Sequence, residues 1–398
     1  MKIMMGVFFG GSSVEHEVAI ISAVQAMMNI DREKFDVTPV YITKSGETYT
    51  GENLFSMDAY RDIPALLKSC DKVAVVSENG ECKVKYLEKG LFSKKKDIVI
   101  NLAFPIVHGT NCEDGSLQGF FEVLRVPYIG CDVTSSAVGM DKAFFKDVMK
   151  SAGLPVLPCV TFRARKWFTE KEAVVSEIEK NVGYPLIIKP ANLGSSVGIS
   201  KVSSPEKLTE AVELACSFAD KILCEKAITN LREINCSVLG DSDNCEASVC
   251  EEPFMNDEIL SYEDKYMSSG SKDGSKGMAS VSRKCPADIT DEKSDEIRDI
   301  SRRAFSALGA SGVVRIDYLL DGDENDRVYI NEINTIPGSL AFYLWEATGL
   351  KYKDMINRLS DIAFKRAREK SSSMFTIDTN LLSGVSSFGA KGAKGSKG

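Results

Sequence analysis

Residues 185–202 read PLIIKPANLGSSVGISKV, an apolar run followed by a loop of small residues. The run predicts a buried strand that ends at Lys189, and residues 198–202 predict the strand that follows the loop. The loop itself, 194–196, supplies N–H and hydroxyl donors. This combination suits a triphosphate, because glycine lets the backbone approach the phosphates and a lysine neutralises their charge. A plain hairpin turn with a solvated lysine is the alternative interpretation.

Two other phosphate-binding patterns do not occur in the sequence. A P-loop needs GxxxxGK[ST], which residues 185–202 do not contain. The glycine-containing start, residues 6–11, does not supply GxGxxG, so a dinucleotide-binding fold is not predicted either.

A second group of polar residues lies on two predicted strands that follow one another in the chain. Alternate side chains of a strand share one face, so Arg315 and Asp317 point the same way, as do Glu332 and Asn334. Carboxylate and amide oxygens suit Mg²⁺ that bridges phosphates, and a guanidinium suits a phosphoryl group in transfer. The alternative is a cross-strand salt bridge on a solvated sheet face.

A third set of residues consists of short polar motifs that carry little information alone. They are His108-Gly109, EDG at 113–115, QG at 118–119 and MDK at 140–142. Taken singly, His108 is an ordinary loop histidine and Lys142 a lysine on a solvated helix face. These motifs gain meaning only from their order along the chain.

The first 130 or so residues alternate strand-like and helix-like segments, which predicts a parallel sheet with helices on its faces. Residues 12–15 have the S-x-x-E pattern of a capping box before an apolar helix. Residues 266–282 predict a mobile loop rich in Ser, Gly and Lys. Further predicted elements are helices Val18–Met28, Ser135–Ser151, Thr169–Asn181, Pro205–Ala219 and Asp291–Leu308, and strands Asp36–Ile42, Ile98–Phe104, Gly312–Leu320 and Arg327–Ile333. The predicted domains are an N-terminal α/β domain (1–130), a central unit (131–229), a C-terminal unit (230–368) and a disordered tail (369–398).

Composition excludes several classes of protein. The chain has 398 residues and a net charge of −8, which argues against nucleic-acid binding because phosphate contacts need clustered Lys and Arg. No apolar run approaches the ~20 residues of a membrane-spanning helix, and the N-terminus predicts a first strand rather than a signal peptide. The 11 cysteines contain no CxxC pair, which favours reduced thiols in the cytoplasm. With 2 histidines, a zinc site is not expected.

Taken together, the motifs resemble the D-alanine–D-alanine ligase family of the ATP-grasp superfamily over residues 3–365. The resemblance implies an ATP-grasp fold, α/β and α+β in class, preceded by a parallel-sheet βαβ domain. The motifs that carry it are GGSSVEHEV at 10–18, HGTNCEDGSLQG at 108–119, PYIGCDVTSSAVGMDK at 127–142, IIKPANLGSSVGISKV at 187–202, EK at 225–226, YEDKY at 262–266, RIDY at 315–318 and NEINTIPG at 331–338.

The resemblance implies a reaction in which ATP phosphorylates the carboxylate of a first D-alanine and the amine of a second D-amino acid attacks the acyl phosphate. It implies ATP and two Mg²⁺ ions, or Mn²⁺ in their place, and a lid over residues 262–282. The implied catalytic residues are Glu15, Ser195, Tyr266, Arg315 and Gly338. Those that hold substrates are Val18, His108, Tyr343 and Leu344. Those that hold ATP are Lys142, Lys189, Glu225, Lys226, Ile228, Glu233 and Lys265, and those that hold metal are Asp317, Glu332 and Asn334.

The chain departs from the family pattern at two places. Cys112 stands where a glycine is usual. After Gly338 the family usually continues with a Thr/Ser-rich segment whose serine binds the carboxylate of the second substrate. Here the chain reads SLAFYLW at 339–345, so that Tyr343 takes the place of the serine and Leu344 follows. We therefore expect a more apolar and bulkier acceptor pocket.

These departures keep three functions open. The first is formation of D-alanyl-D-alanine for peptidoglycan precursors in the cytoplasm. The second is ligation of D-alanine to D-serine, D-lactate or another amine. The third is non-catalytic nucleotide binding. The expected partners are small molecules and, by resemblance, a second copy in a homodimer, with neither nucleic acid nor membrane.

Overall fold

A computed structural model describes residues 2–88, 95–194, 197–253 and 283–373. Ser195, Lys265, Tyr266, the predicted loop 266–282, the rest of the predicted lid at 262–265 and the tail from residue 374 onward lie outside these ranges. The fold consists of three sheets, of seven, four and five strands, with helices packed on them. Within the described chain, no helix combines the length and apolar character needed to cross a bilayer.

The first sheet has the strand order β6-β5-β4-β3-β2-β1-β7. Only the pairs β1–β2 and β1–β7 are parallel, so the prediction of a parallel sheet is confirmed for part of it. Its strands are β1 (Ile3–Gly10), β2 (Phe35–Ile42), β3 (Thr48–Thr50), β4 (Asp71–Glu78), β5 (Glu81–Tyr86), β6 (Ile98–Ile100) and β7 (Leu102–Val107), and its helices are α1 (His16–Asn29), α2 (Ile63–Lys68) and α3 (Ser116–Leu124).

Two local features explain why this sheet is mixed. Asn79 and Gly80 have φ of 54° and 80°, and two such residues form the tight turn that joins antiparallel strands β4 and β5. The single strand predicted over 98–104 is broken at Asn101, whose side chain accepts from the N–H of Met4 at 2.9 Å. Strands β6 and β7 are separated in the chain only by Asn101, yet they are the two edge strands of the sheet. The sheet therefore curls strongly, which brings its two edges close together.

The predicted capping box before α1 is wrong. The helix begins at His16, and its N-cap, Glu15, makes no side-chain capping bond. Ser13 instead accepts from the N–H of Glu15 at 3.0 Å and donates to the carbonyl of His108 at 2.6 Å. The serine thus ties two loops together at the carboxyl ends of β1 and β7.

The second sheet is antiparallel, with the order β10-β9-β11-β8. Its core is built from alternate apolar residues of the strands and from Val174 and Val212 of the covering helices. Its elements are β8 (Cys159–Arg163), β9 (Leu186–Pro190), β10 (Ser200–Val202), β11 (Lys221–Lys226), α6 (Ala164–Thr169), α7 (Lys171–Asn181) and α8 (Leu208–Cys216). The strand–loop–strand unit predicted over 185–202 is confirmed as the pair β9–β10.

The third sheet has the order β14-β13-β12-β15-β16 and lies under α9. Its elements are β12 (Leu231–Gly240), β13 (Cys245–Pro253), β14 (Arg283–Lys284), α9 (Asp291–Leu308), β15 (Gly312–Asp321), β16 (Arg327–Asn334), α10 (Phe342–Ala347) and α11 (Tyr352–Ser371). Thr290 caps α9 by accepting from the N–H of Lys293, and Gly309 ends the helix with a φ of 66°. The predicted bounds of this helix are therefore confirmed.

One predicted helix, 135–151, proves to be two. They are α4 (Val133–Met140) and α5 (Lys142–Ser151). Asp141 separates them because its backbone is extended and its side chain accepts from the N–H groups of Ala143 and Phe144, which starts a new helix. Phe145 and Met149 of α5 pack in the core of the third sheet.

The last helix returns to the first sheet. Met355 and Leu359 of α11 are fully buried in the same core as Met5 and Val7 of β1. The helix extends to Ser371, so the disorder predicted from residue 369 is wrong for its first three residues. The predicted domain boundaries stay predictions.

Candidate active site

A cleft lies where the three sheets approach one another. It brings together most of the residues predicted from the sequence, and it also holds acidic and basic side chains that were not predicted. Its lining comprises Glu15, Val18, His108, Glu113, Gly139, Met140, Lys142, Gly194, Glu233, Asn235, Glu251, Pro253, Arg283, Arg315, Asp317, Glu332, Ile333, Asn334, Ile336, Gly338 and Tyr343.

Beside the cleft, a buried cluster of lysines surrounds Glu225. Lys189, at the end of β9, forms an ion pair with Glu225 and donates to the side chain of Asn331 at 3.1 Å. Lys146 of α5 pairs with the other carboxylate oxygen of Glu225 at 2.9 Å and is 0% exposed. Sequence reasoning missed Lys146, because the helical pattern alone does not show that a carboxylate from β11 lies over it.

Charge and burial have opposite effects on the pKa values of the groups in this cluster. Burial would raise the pKa of Glu225, but Lys146 and Lys189 outweigh it and lower the pKa to about 2. Burial lowers the pKa of Lys189, and Glu225 opposes that effect. The carboxylate is thus ionised across the neutral range and fixes both ammonium groups.

Lys142 links the glycine loop to the acidic side of the cleft. It is the first residue of α5, and its Nζ donates to the carbonyl of Leu193 at 2.7 Å. The same Nζ lies 3.1 Å from a carboxylate oxygen of Glu332. The lysine is buried, so the alternative of a solvated helix face is excluded.

The acidic side is formed by the paired strands β15 and β16, in which Asp317 faces Glu332. Arg315 donates to both carboxylate oxygens of Asp317, at 2.7 and 2.8 Å, and Asn334 donates to one of them at 3.1 Å. The shared face predicted for these side chains is confirmed. Burial raises the pKa of Asp317 despite Arg315, and Glu332 and Glu251 raise it further.

This donor set fits a divalent cation. Two carboxylates lie on facing positions of paired strands with the Asn334 amide beside them, and Mg²⁺ prefers such oxygen ligands. Among the described residues, no three acidic, histidine or cysteine side chains form a metal-binding group. The amide oxygen of Asn334 would therefore complete the set.

His108 connects three segments behind the cleft. Its Nδ1 lies 2.8 Å from the carbonyl of Ile336, which can only accept, so Nδ1 carries a proton. Burial lowers the pKa of His108, and in the neutral ring Nε2 accepts from the hydroxyl of Ser22 at 3.0 Å. The oxygen of Ser22 then accepts from the N–H of Ser339 at 2.9 Å. The histidine thereby fixes the turn that follows Gly338.

That turn is strained. Ser339, Leu340 and Ala341 have φ of 51°, 55° and 51°, which costs side-chain-bearing residues about 1 kcal/mol or more each. Glu113 fixes the segment just before this turn by accepting from the N–H of Ile336 at 2.8 Å. Burial raises the pKa of Glu113 to about 7 although backbone N–H groups lower it.

Of the predicted residues that the structure describes, Lys189, Glu225, Lys226, Leu344 and Ile228 do not line the cleft. Leu344 is fully buried beneath it, and Ile228 packs between Leu157 and Tyr329. Lys226, nearby on β11, donates to the carbonyl of Tyr184 at 3.1 Å. Glu15, Val18, Glu233 and Gly338 line the cleft, as predicted.

Comparison with known proteins identifies the kind of site. A family model described as D-ala D-ala ligase N-terminus matches residues 4–131, and one described as D-ala D-ala ligase C-terminus matches residues 148–361. A D-alanine–D-alanine ligase of Thermosipho melanesiensis is 40% identical over 380 residues, which cover 95% of this chain and 98% of the relative. D-alanine–D-alanine ligase A of Escherichia coli is also 40% identical and covers 92% and 96%.

Solved structures give the same result. The D-alanine–D-alanine ligase from Coxiella burnetii superposes with a TM-score of 0.77 at 27% identity, covering 93% of this chain and 96% of that one. The VanG D-Ala:D-Ser ligase from Enterococcus faecalis superposes with a TM-score of 0.75 at 33% identity, covering 91% and 100%.

Proposed function

Since the chain belongs to the D-alanine–D-alanine ligase family, we propose that it joins D-alanine to a second D-amino acid with hydrolysis of ATP to ADP and phosphate. The γ-phosphoryl group of ATP passes to the carboxylate of the first D-alanine. The acceptor nitrogen then attacks the carbonyl carbon, the bond to the phosphate oxygen breaks, and the nitrogen loses a proton. The proposal includes a role in making peptidoglycan precursors in the cytoplasm.

One observation carries the proposal. The side chains proposed to bind phosphate and metal meet along β16: Asn331 accepts from Lys189, Glu332 pairs with Lys142, and Asn334 donates to Asp317. Phosphoryl transfer depends mainly on positioning and charge stabilisation, and contacts along a single strand support such positioning.

For the nucleotide, we propose that Lys142 and Lys189 neutralise the phosphates of ATP. The proposed contacts to the rest of the ATP molecule come from Glu225, Lys226, Ile228 and Glu233. The buried lysine cluster beside the glycine loop supports these proposed contacts. The backbone of Ile228 is the part available for such a contact, since its side chain is buried. Lys265 stays a proposal from the family resemblance.

For the metal, we propose two Mg²⁺ ions, or Mn²⁺ in their place, held by Asp317, Glu332 and Asn334. When bound, the cations neutralise the phosphate oxygens. Asp317 accepts from Arg315 at both oxygens, and the oxygen that Asn334 does not contact has a further lone pair available for a cation. Arg315 and the N–H of Gly338 are the proposed groups that stabilise the oxyanion.

For the first substrate, we propose that Glu15 binds the ammonium of D-alanine beside Val18 and His108. A carboxylate at the cleft lining supports this role, and the buried neutral His108 supports a fixed wall rather than a second charge. The family resemblance adds Ser195 and Tyr266, which would link to Glu15 and complete the site, and a lid over residues 262–282.

The acceptor of the reaction has more than one candidate. D-Serine is a second candidate, because the Enterococcus relative is named a D-Ala:D-Ser ligase and because Tyr343 replaces the family serine. The proposal is tested by incubating the protein with ATP, Mg²⁺, D-alanine and a panel of acceptors. The panel contains D-serine, other amines and the hydroxy acid D-lactate, and the products are identified by mass spectrometry. A dipeptide from D-alanine alone supports D-alanyl-D-alanine formation. Absence of acceptor-dependent ADP release across the panel would refute a ligase. The proposed homodimer is tested by light scattering.

A further inference from the structure

A polar wall at one end of the cleft consists of Asn235, Glu251, Arg283 and Tyr343. Glu251 accepts from the Tyr343 hydroxyl at 2.7 Å, from the Asn235 amide at 3.0 Å and from Arg283 at 2.9 Å. The guanidinium carbon of Arg283 lies 3.9 Å from the centre of the Tyr343 ring. Four separate elements, β12, β13, β14 and α10, supply these side chains.

The wall is buried and faces the cleft. The side chains of Arg283 and Glu251 are 12% and 3% exposed, and both line the cleft with Tyr343. Burying an ion pair brings little or no net stability, because desolvation offsets the attraction. A pair retained at the lining of a ligand cleft therefore points to recognition.

The position of Tyr343 indicates what is recognised. In the family pattern, a serine at this place binds the carboxylate of the second substrate. Here the Tyr343 hydroxyl donates to Glu251, so it does not replace that serine as a donor to the substrate. Its ring instead supports the flat face of Arg283, and a stacked guanidinium is held in one orientation.

We propose that Arg283 binds the α-carboxylate of the acceptor amino acid, with Tyr343 and Glu251 as the residues that position it. The proposal rests on the ligase function proposed above and names the acceptor subsite of that reaction. A guanidinium binds two carboxylates at once, because its five N–H groups point in different directions. Arg283 thus bridges Glu251 of the protein and the carboxylate of the acceptor.

The test is a competition between two acceptors, one with the carboxylate and one with a neutral amide in its place, and it compares each variant with wild type. ATP, Mg²⁺ and D-alanine are incubated with D-alaninamide at equal concentration, and D-Ala-D-Ala and D-Ala-D-Ala-amide are quantified by mass spectrometry. The product ratio is independent of the overall turnover. We expect wild type to favour the carboxylate acceptor by about 10- to 100-fold, the size of one charge-assisted hydrogen-bonded contact. Arg283→Met should lower the ratio by about the same 10- to 100-fold factor, and Arg283→Lys, which keeps the charge but not the stacked guanidinium, should retain only part of the preference.

Arg232→Met is the matched control. Arg232 donates to both oxygens of Glu252, at 2.9 and 3.0 Å, one residue along β13 but outside the cleft lining. Its loss should leave the product ratio unchanged. Equal use of both acceptors by wild type, or an Arg283→Met ratio equal to that of wild type, overturns the assignment. If neither product forms, the ligase function itself is refuted. The failure of the Arg283 assignment and the failure of the proposed function are therefore distinguishable.

Discussion

Removal of Lys146 tests whether the buried lysine cluster stabilises the protein as its geometry indicates. The pKa of Glu225 is about 2 instead of the ordinary 4.5. Each pKa unit corresponds to about 1.4 kcal/mol, so the ionised form of Glu225 is favoured in the folded protein by about 3 kcal/mol at neutral pH, and the lowered pKa of Lys189 subtracts from this gain. Breaking a buried ion pair by removing one partner costs about 3–5 kcal/mol. We therefore expect Lys146→Met to lower the free energy of unfolding by about 3 kcal/mol at pH 7.

The direction of the pH dependence follows from the same shift. A depressed carboxyl pKa stabilises the folded protein fully above the unfolded pKa near 4.5, and this contribution disappears as the pH falls through about 2. Lys146→Met moves the pKa of Glu225 upward. The stability difference between wild type and variant should therefore be largest at neutral pH and decrease under acid.

Urea denaturation at pH 7 measures the difference, with Lys150→Met as the control. Lys150 lies one turn further along α5 and is exposed, so its loss should change the free energy of unfolding by less than about 0.5 kcal/mol. The double variant Lys146→Met/Glu225→Gln should lose less than the sum of the two single variants. Equal midpoints for Lys146→Met and Lys150→Met would show that the cluster contributes nothing and that the reasoning is wrong.

Three further predictions concern the cleft. Glu332→Gln should reduce turnover by about 100-fold or more through lost metal binding. It should lower stability less than Lys146→Met does, because Glu332 is partly exposed and Lys142 keeps its bond to Leu193. Near-normal ADP release at all Mg²⁺ concentrations would contradict the metal assignment. Tyr343→Ser should change the ratio of products formed from a mixture of D-alanine and D-serine, and an unchanged ratio would remove Tyr343 from the acceptor pocket. Since burial raises the pKa of Glu113 to about 7, this group binds more protons in the folded state between pH 4.5 and 7, and its contribution to stability falls as the pH rises through that window. Glu113→Gln should abolish this component, up to about 3 kcal/mol, and identical unfolding profiles of wild type and variant at pH 5 and pH 8 would argue against it.

Some predictions that depend on adjacent residues succeeded, although the capping box at 12–15 and the unbroken helix over 135–151 did not. The bounds of α9 follow from Thr290 and Gly309, which act on their own helix ends. The shared face of Arg315 and Asp317 follows from strand geometry alone. The Asn79-Gly80 turn could have been found by the same kind of reasoning, because that pair is a strong local signal for a hairpin.

Predictions that depend on distant contacts failed. No spacing on α5 distinguishes Lys146, which is buried under Glu225, from Lys150, which is exposed. The polar wall around Glu251 likewise draws on four elements far apart in the chain, and no short motif marks it. Sequence reasoning therefore selected the side chains that sit in short motifs, and their nucleotide- and metal-binding roles stay predictions, but it did not find the charges that surround them.

The return of α11 to the first sheet has a consequence for biosynthesis. Because Met355 and Leu359 complete a core that begins with Met5, the N-terminal sheet emerges from the ribosome long before its last packing partner is made. Contacts this distant in sequence slow folding and leave apolar surface uncovered in the meantime. A nascent chain stalled before residue 350 would therefore leave the apolar face of the first sheet uncovered.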